Sequence, residues 1–141
     1  MIYTTYNPDT GEIYNTITSS DATTTPDTSN FILGAYDSQT YFVENGQAVE
    51  LPPNPSNECL KYYFDYTSKS WVLDQITSSF LTRDVRNKLL NEIDRINPIW
   101  YASLTADQQQ ELIAYRQALL AVPQQSGFPE TVTWPVKPTW L

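Results

Sequence analysis

No histidine occurs in the 141 residues, and cysteine occurs once, at Cys59. The first absence removes the commonest general base and the commonest metal ligand. The second rules out an intramolecular disulfide framework and any multi-cysteine zinc site, and it fits a reducing compartment. Basic residues are also scarce: eight Lys and Arg face sixteen Asp and Glu, a net charge of −8, and no base precedes Lys61. A front half of that sign repels a phosphate backbone, which argues against nucleic-acid binding. No apolar run approaches the roughly 18 residues of a membrane span. Met1-Ile2-Tyr3-Thr4-Thr5 lacks both the basic start and the apolar stretch of a signal peptide. The expectation is a chain made in a cytoplasm and left there, with no membrane partner, no metal and no cofactor.

What is present is enough for a core, since 40% of the residues are hydrophobic and only 17% charged. The charge divides the chain. Residues 1–75 hold ten acids against Lys61 and Lys69, and residues 76–141 hold six of each sign. Two modules are expected: an acidic β-rich one over 1–75 and a helical one over 76–141. An acidic face of this kind either solubilises the chain or meets a basic protein partner.

The front half reads as short strands and turns. Ile2 to Tyr6 and Glu12 to Thr18 are rich in Ile, Tyr and Thr, and Asn7-Pro8-Asp9-Thr10-Gly11 between them is a turn sequence. Residues 19–30 contain no apolar side chain but Ala22 and predict an exposed loop. Phe31 to Leu33 forms a further strand, and Tyr41 to Leu51 a second hairpin around Asn45-Gly46, where positive φ is readily supplied. A third pair, Lys61 to Tyr66 and Ser70 to Leu73, places Tyr62, Phe64 and Tyr66 on alternate positions opposite Trp71 and Leu73. Rings at strand spacing are more often packing than a ligand face.

Near Ser78 the period changes from two to that of a helix. Leu81, Val85, Leu89, Ile93 and Ile96 recur on one stripe, with Arg83, Arg86, Lys88, Glu92 and Arg95 largely off it, and Pro98 closes the segment. Thr105-Ala106-Asp107-Gln108 has the spacing of a capping box, and Leu112, Tyr115, Leu119 and Val122 form the stripe of a second helix. Two such helices joined by a short link pack as an antiparallel hairpin. From Phe128 to Leu141 three prolines predict an extended, polyproline-like tail. Its aromatic side chains either pin it across the hairpin or dock on another protein. The fold class expected is α+β: N-terminal antiparallel β-hairpins, then a helical hairpin with an extended Pro/Trp-rich tail.

An ordered series of motifs runs through the back half: Arg86-Asn87 with Leu89-Leu90, Asp94, Leu104-Thr105 with Gln108-Gln109, Tyr115-Arg116-Gln117-Ala118-Leu119, Pro123-Gln124, Phe128-Pro129, Trp134-Pro135 and Pro138. It resembles the phage tail assembly chaperone family, often labelled tail fibre assembly, over residues of about 80–138. Departures from that pattern stand at Arg95, Leu112 and Leu120. The resemblance implies help in building a phage tail or its fibres through binding to a tail, baseplate or tail-fibre protein, without catalysis.

The partner-binding candidates are Arg86, Asp94, Tyr115, Arg116, Phe128 and Trp134, because a Tyr-Arg pair beside an aromatic tail forms a polar and stacked surface. The competing structural reading pairs Asp94 with Arg116 to fix the helix crossing and buries Trp134. Two roles fit the resemblance: a transient assembly factor, or a virion component that stays in the mature tail. An enzymatic reading would rest on carboxylate pairs such as Glu44 with Glu50 or Asp65 with Asp74. Sixteen acids in 141 residues produce such pairs by chance.

Overall fold

A computed structural model describes residues 1–20 and 30–141. Residues 21–29, most of the expected 19–30 loop, lie outside the described residues. The chain divides into two compact units, one of residues 1–54 and 64–72, the other of residues 55–63 and 73–141.

In the first unit, β1 (Ile2–Tyr6) pairs antiparallel with β2 (Ile13–Thr18), as the sequence predicts, with a bulge at Thr5/Tyr6. The intervening turn closes with Gly11 N–H donating to Asn7 O at 2.7 Å. Gly11 has φ +80°, and a Cβ there would collide with the Val43 carbonyl, so glycine is required twice over. β3 (Phe31–Leu33) pairs with the other side of β1, giving the order β2-β1-β3. β4 (Tyr41–Glu44) and β5 (Gln47–Glu50) form the second hairpin. Asn45 and Gly46 at its tip both have positive φ, as a type I′ turn demands. β6 (Tyr62–Asp65) and β7 (Ser70–Leu73) form the third.

The expected alternation on β6 and β7 is packing. Phe64 is buried, with its ring centroid 5.1 to 5.6 Å from those of Phe42, Tyr66 and Trp71. Tyr3 meets Phe31 edge-on at 5.3 Å. Thr4, also buried, accepts from Tyr36 N–H and donates to Gly34 O, which ties the segment after β3 to β1.

The second unit is helical. α1 (Gln75–Asp94) begins at Asp74, whose carboxylate caps Thr77 N–H, before the periodic stripe begins. Its buried residues are Ser78, Thr82, Leu90 and Ile93, whereas Leu81, Val85 and Leu89 of the expected stripe are only half-buried. The reason is local. Ser78 Oγ accepts from Lys61 N–H at 2.9 Å, and Thr82 Oγ1 donates to Cys59 O at 3.1 Å. The first half of α1 therefore holds a backbone segment through hydroxyl groups and not through an apolar stripe.

The helix ends at Asp94, earlier than Pro98. Pro98 instead opens a short helix, α2 (Pro98–Ser103), capped by Asn97, which keeps the extended φ/ψ of −63°/126° typical of a residue before proline. The link between the long helices is thus itself partly helical. α3 (Ala106–Leu120) starts on the expected capping box, with Thr105 and Gln108 each satisfying the other's backbone amide. Leu112, Tyr115 and Leu119 of its stripe are buried, as is Val122 in the following 3-10 turn, Val122–Gln124. Leu90, Ile93, Leu112, Tyr115 and Leu119 form one core.

The tail folds back onto the helices. Trp140 and Leu141 pack against the core, and Trp140 Nε1–H donates to Glu111 at 2.8 Å. Trp140 also lies 6.4 Å from Trp100, centroid to centroid. Lys137 sits 3.5 Å from Glu92. A polyproline-like course does not begin at Phe128: residues 126–130 form turns, with Phe128 N–H bonded to Gln125 O, Thr131 N–H to Gly127 O and a cis Phe128–Pro129 bond. Residues 132–138 carry no regular secondary structure.

Candidate functional site

A largely apolar concavity of the helical unit lies where α1 hands over to α2 and α3. Ile93 and Ile96 come from the end of α1 and its exit, Pro98 and Tyr101 from α2, and Leu112, Ile113 and Arg116 from α3. Its volume is about 350 Å³. Around it α2 and α3 expose apolar surface: Ile99 is 82% accessible, Trp100 40% and Ile113 39%.

One charged pair marks its edge. Arg116 Nε–H donates to Asp94 Oδ1 at 2.8 Å, with both side chains nearly half exposed. The hydrogen bond from Arg116, reinforced by its charge, holds the Asp94 carboxyl below the usual carboxylate range, and Asp94 in turn raises Arg116. Both groups stay ionised at neutral pH. Arg116 lines the groove, and its guanidinium carries further N–H donors beside the one that meets Asp94.

The six sequence candidates do not converge. Asp94 and Arg116 meet each other at the groove. Tyr115 is buried in the core, its phenol raised first by burial, and its ring serves packing. Arg86 donates to the neighbouring Asn87 Oδ1 at 3.0 Å. The Phe128 ring lies beneath the Arg83 guanidinium, 5.0 Å from the ring centroid.

Trp134 lines a different, more polar hollow with Thr82, Pro129 and the segment Asn57 to Leu60. Cys59 lies in that wall, and burial, then the charge of Glu58, pushes its thiol upward, so it remains protonated. Of the other groove residues, the sequence marks Ile96 as helix stripe and Pro98 as a helix end, and gives no role to Tyr101 or Ile113. Their signal was the apolar run Ile99-Trp100-Tyr101 in a link that needed none, and an Ile at position 113 one step off the α3 stripe.

Two of the four carboxylates considered for acid-base work, Asp65 and Asp74, are engaged in local turns and caps. Asp65 accepts from Thr67 N–H and Ser68 Oγ, and Asp74 from Thr77, and these bonds hold both carboxyls below their usual range. A general acid needs the opposite shift.

The fold thus defines an α+β protein whose second unit is a helical hairpin closed by its own tail. Residues 80–139 of it match the family model described as phage tail assembly chaperone protein. The resemblance carried by the motifs between Arg86 and Pro138 is borne out over that stretch, and the family points to a role in phage tail assembly. No match was found among curated proteins or among solved structures.

Proposed function

We propose that the chain assists assembly of a phage tail or its fibres by binding another tail protein through the groove at the end of the helical hairpin. The observation that carries this reading is the groove itself: six apolar or aromatic side chains and Arg116, within the segment that matches the family. Apolar anchors seated in a desolvated pocket supply most of the energy of a protein interface, and an arginine at the edge adds orientation. Asp94 pre-positions that arginine. Arg86 and Phe128 make contacts within the unit, and Trp134 belongs to a separate surface. The site of action is the host cytoplasm, where tails are built. No helix among the described residues is long and apolar enough to cross a membrane.

The test is affinity purification from phage-infected cells with the prey identified by mass spectrometry. Wild-type chain should retain a phage-encoded tail, baseplate or fibre protein, and Ile113→Asp should lose it with an unchanged circular dichroism spectrum. Equal recovery with Ile113→Asp would remove the groove from the mechanism. Stoichiometric chain in purified virions would instead identify a permanent tail component.

A further inference from the structure

The β-rich unit has a cavity of its own, about 590 Å³, lined by Phe31, Ile32, Leu33 and Tyr36 on one side and by Gly46, Gln47 and Ala48 on the other. Among the described residues, both walls are strand edges without a further partner strand. Among those residues, β3 is an outer strand of the order β2-β1-β3, and β5 pairs with β4 alone.

The direction of the backbone groups follows from the ladders. Thr4 stands opposite Ile32, and the flanking bonds Tyr6 N–H to Asn30 O and Gly34 N–H to Ile2 O fall on every second residue. The N–H and C=O of Phe31 and Leu33 therefore point away from β1. In the β4–β5 hairpin the Asn45-Gly46 turn closes on Glu44 opposite Gln47, and Leu51 N–H bonds to Thr40 O. By the same alternation the backbone groups of Ala48 point away from β4. Two edges unpaired among the described residues open on one cavity, and the Leu33 side chain beside them is 65% exposed. Free edges of this kind are templates for an added strand.

Charge selects the strand. This unit contains eight acids and a single base, Lys69. The Lys69 amine already donates to Thr10 O and lies 4.9 Å from the Phe42 ring centroid. The unit's one side-chain cation is thus engaged internally, and its field attracts a positive partner. We propose that the cavity is a docking slot for an extended, Lys- or Arg-bearing segment of another polypeptide, which adds as a strand between β3 and β5. The slot lies in the β-rich unit and stands or falls independently of the helical groove.

Three fluorescent eight-residue peptides test it on the full chain at low ionic strength: alternating Lys and Val, the same peptide with every second backbone amide N-methylated, and alternating Glu and Val. The Lys-Val peptide should bind saturably and increase hydrogen-exchange protection at Phe31, Leu33 and Ala48. N-methylation keeps the charge but removes strand pairing, and should weaken binding at least tenfold; the Glu-Val peptide should not bind. Ala48→Pro deletes an outward N–H without removing a ladder bond and should weaken the Lys-Val peptide similarly. If that variant misfolds, the peptide series still decides. Equal affinity of the N-methylated peptide, unchanged protection at the three amides, or no saturable binding of the Lys-Val peptide would each overturn the proposal.

Discussion

The two units hold themselves together by different means. The β-rich unit relies on rings: Phe64 amid Phe42, Tyr66 and Trp71, and Tyr3 against Phe31. Its strands are three to six residues long, each too short to stand alone, so large aromatic areas do the joining. The helical unit relies on an aliphatic seam, Leu90, Ile93, Leu112 and Leu119 with Tyr115, and ties its exposed charges into the pairs Asp94–Arg116 and Glu92–Lys137. One unit is strongly acidic with open strand edges, and the other is nearly neutral with an apolar groove. On the two proposals above, the difference amounts to two kinds of partner surface in one chain, one selected by charge and backbone, the other by shape and apolar fit.

That contrast is sharpest in the cores. Phe64→Ala should destabilise the β-rich unit by about 3 to 5 kcal/mol, and Leu119→Ala the helical unit by about 2 to 5 kcal/mol, because each leaves a cavity the neighbours fill only in part. Hydrogen exchange resolved by residue would read the effect. Loss of protection at Tyr3 and Phe42 for the first, and at Leu112 and Tyr115 for the second, is the expected division. Equal loss everywhere would show the units to be one cooperative structure. Removing residues 128–141 strips Trp140 and Leu141 from the helical core and should lower its melting temperature by several degrees at least, a shift that thermal denaturation would measure. An unchanged transition would return the tail to the role of a recognition strand.

Smaller effects follow from single polar groups. Thr105→Ala breaks the capping box and should cost about 1 kcal/mol in chemical denaturation, with α3 fraying at its start. Asp37, Asp65, Asp74 and Asp94 all have folded-state pKa values below the ordinary one, so in the acid range the unfolded chain binds more protons than the folded one. Their contribution is fully present above about pH 4 and is lost as pH falls through the lowered values; urea midpoints between pH 2 and 6 should decline in that direction. Both units carry such aspartates, so this effect should not separate them. Arg116→Ala should change stability least, since its ion pair is exposed, yet it should weaken client recovery. A large stability loss instead would make that arginine a structural strut.

Much of this was readable from residue order. The Asn45-Gly46 hairpin, the Thr105 capping box and the Leu112, Tyr115, Leu119, Val122 stripe are local signals, in which neighbours a few residues apart settle the backbone. Where distant segments meet, the reading was incomplete. Ser78 and Thr82 carry no apolar signal, yet they are buried because residues 59 to 61 return to bond them. Tyr115 looked available as a polar aromatic, and packing from α1 covered it. The groove escaped notice because its lining comes from three helices, none of which shows a concavity alone.

Composition and short-range pattern by themselves determined the charge division, the change of period near Ser78, the turns and the family motifs, since each depends on the identity of adjacent side chains. Only tertiary structure decided that β3 joins β1, that the tail returns to Glu111 and Trp100, and that two strand edges share one cavity. Those outcomes require segments tens of residues apart to meet, and the free energy of such a meeting comes from buried area and paired backbone that exist only once the chain has folded.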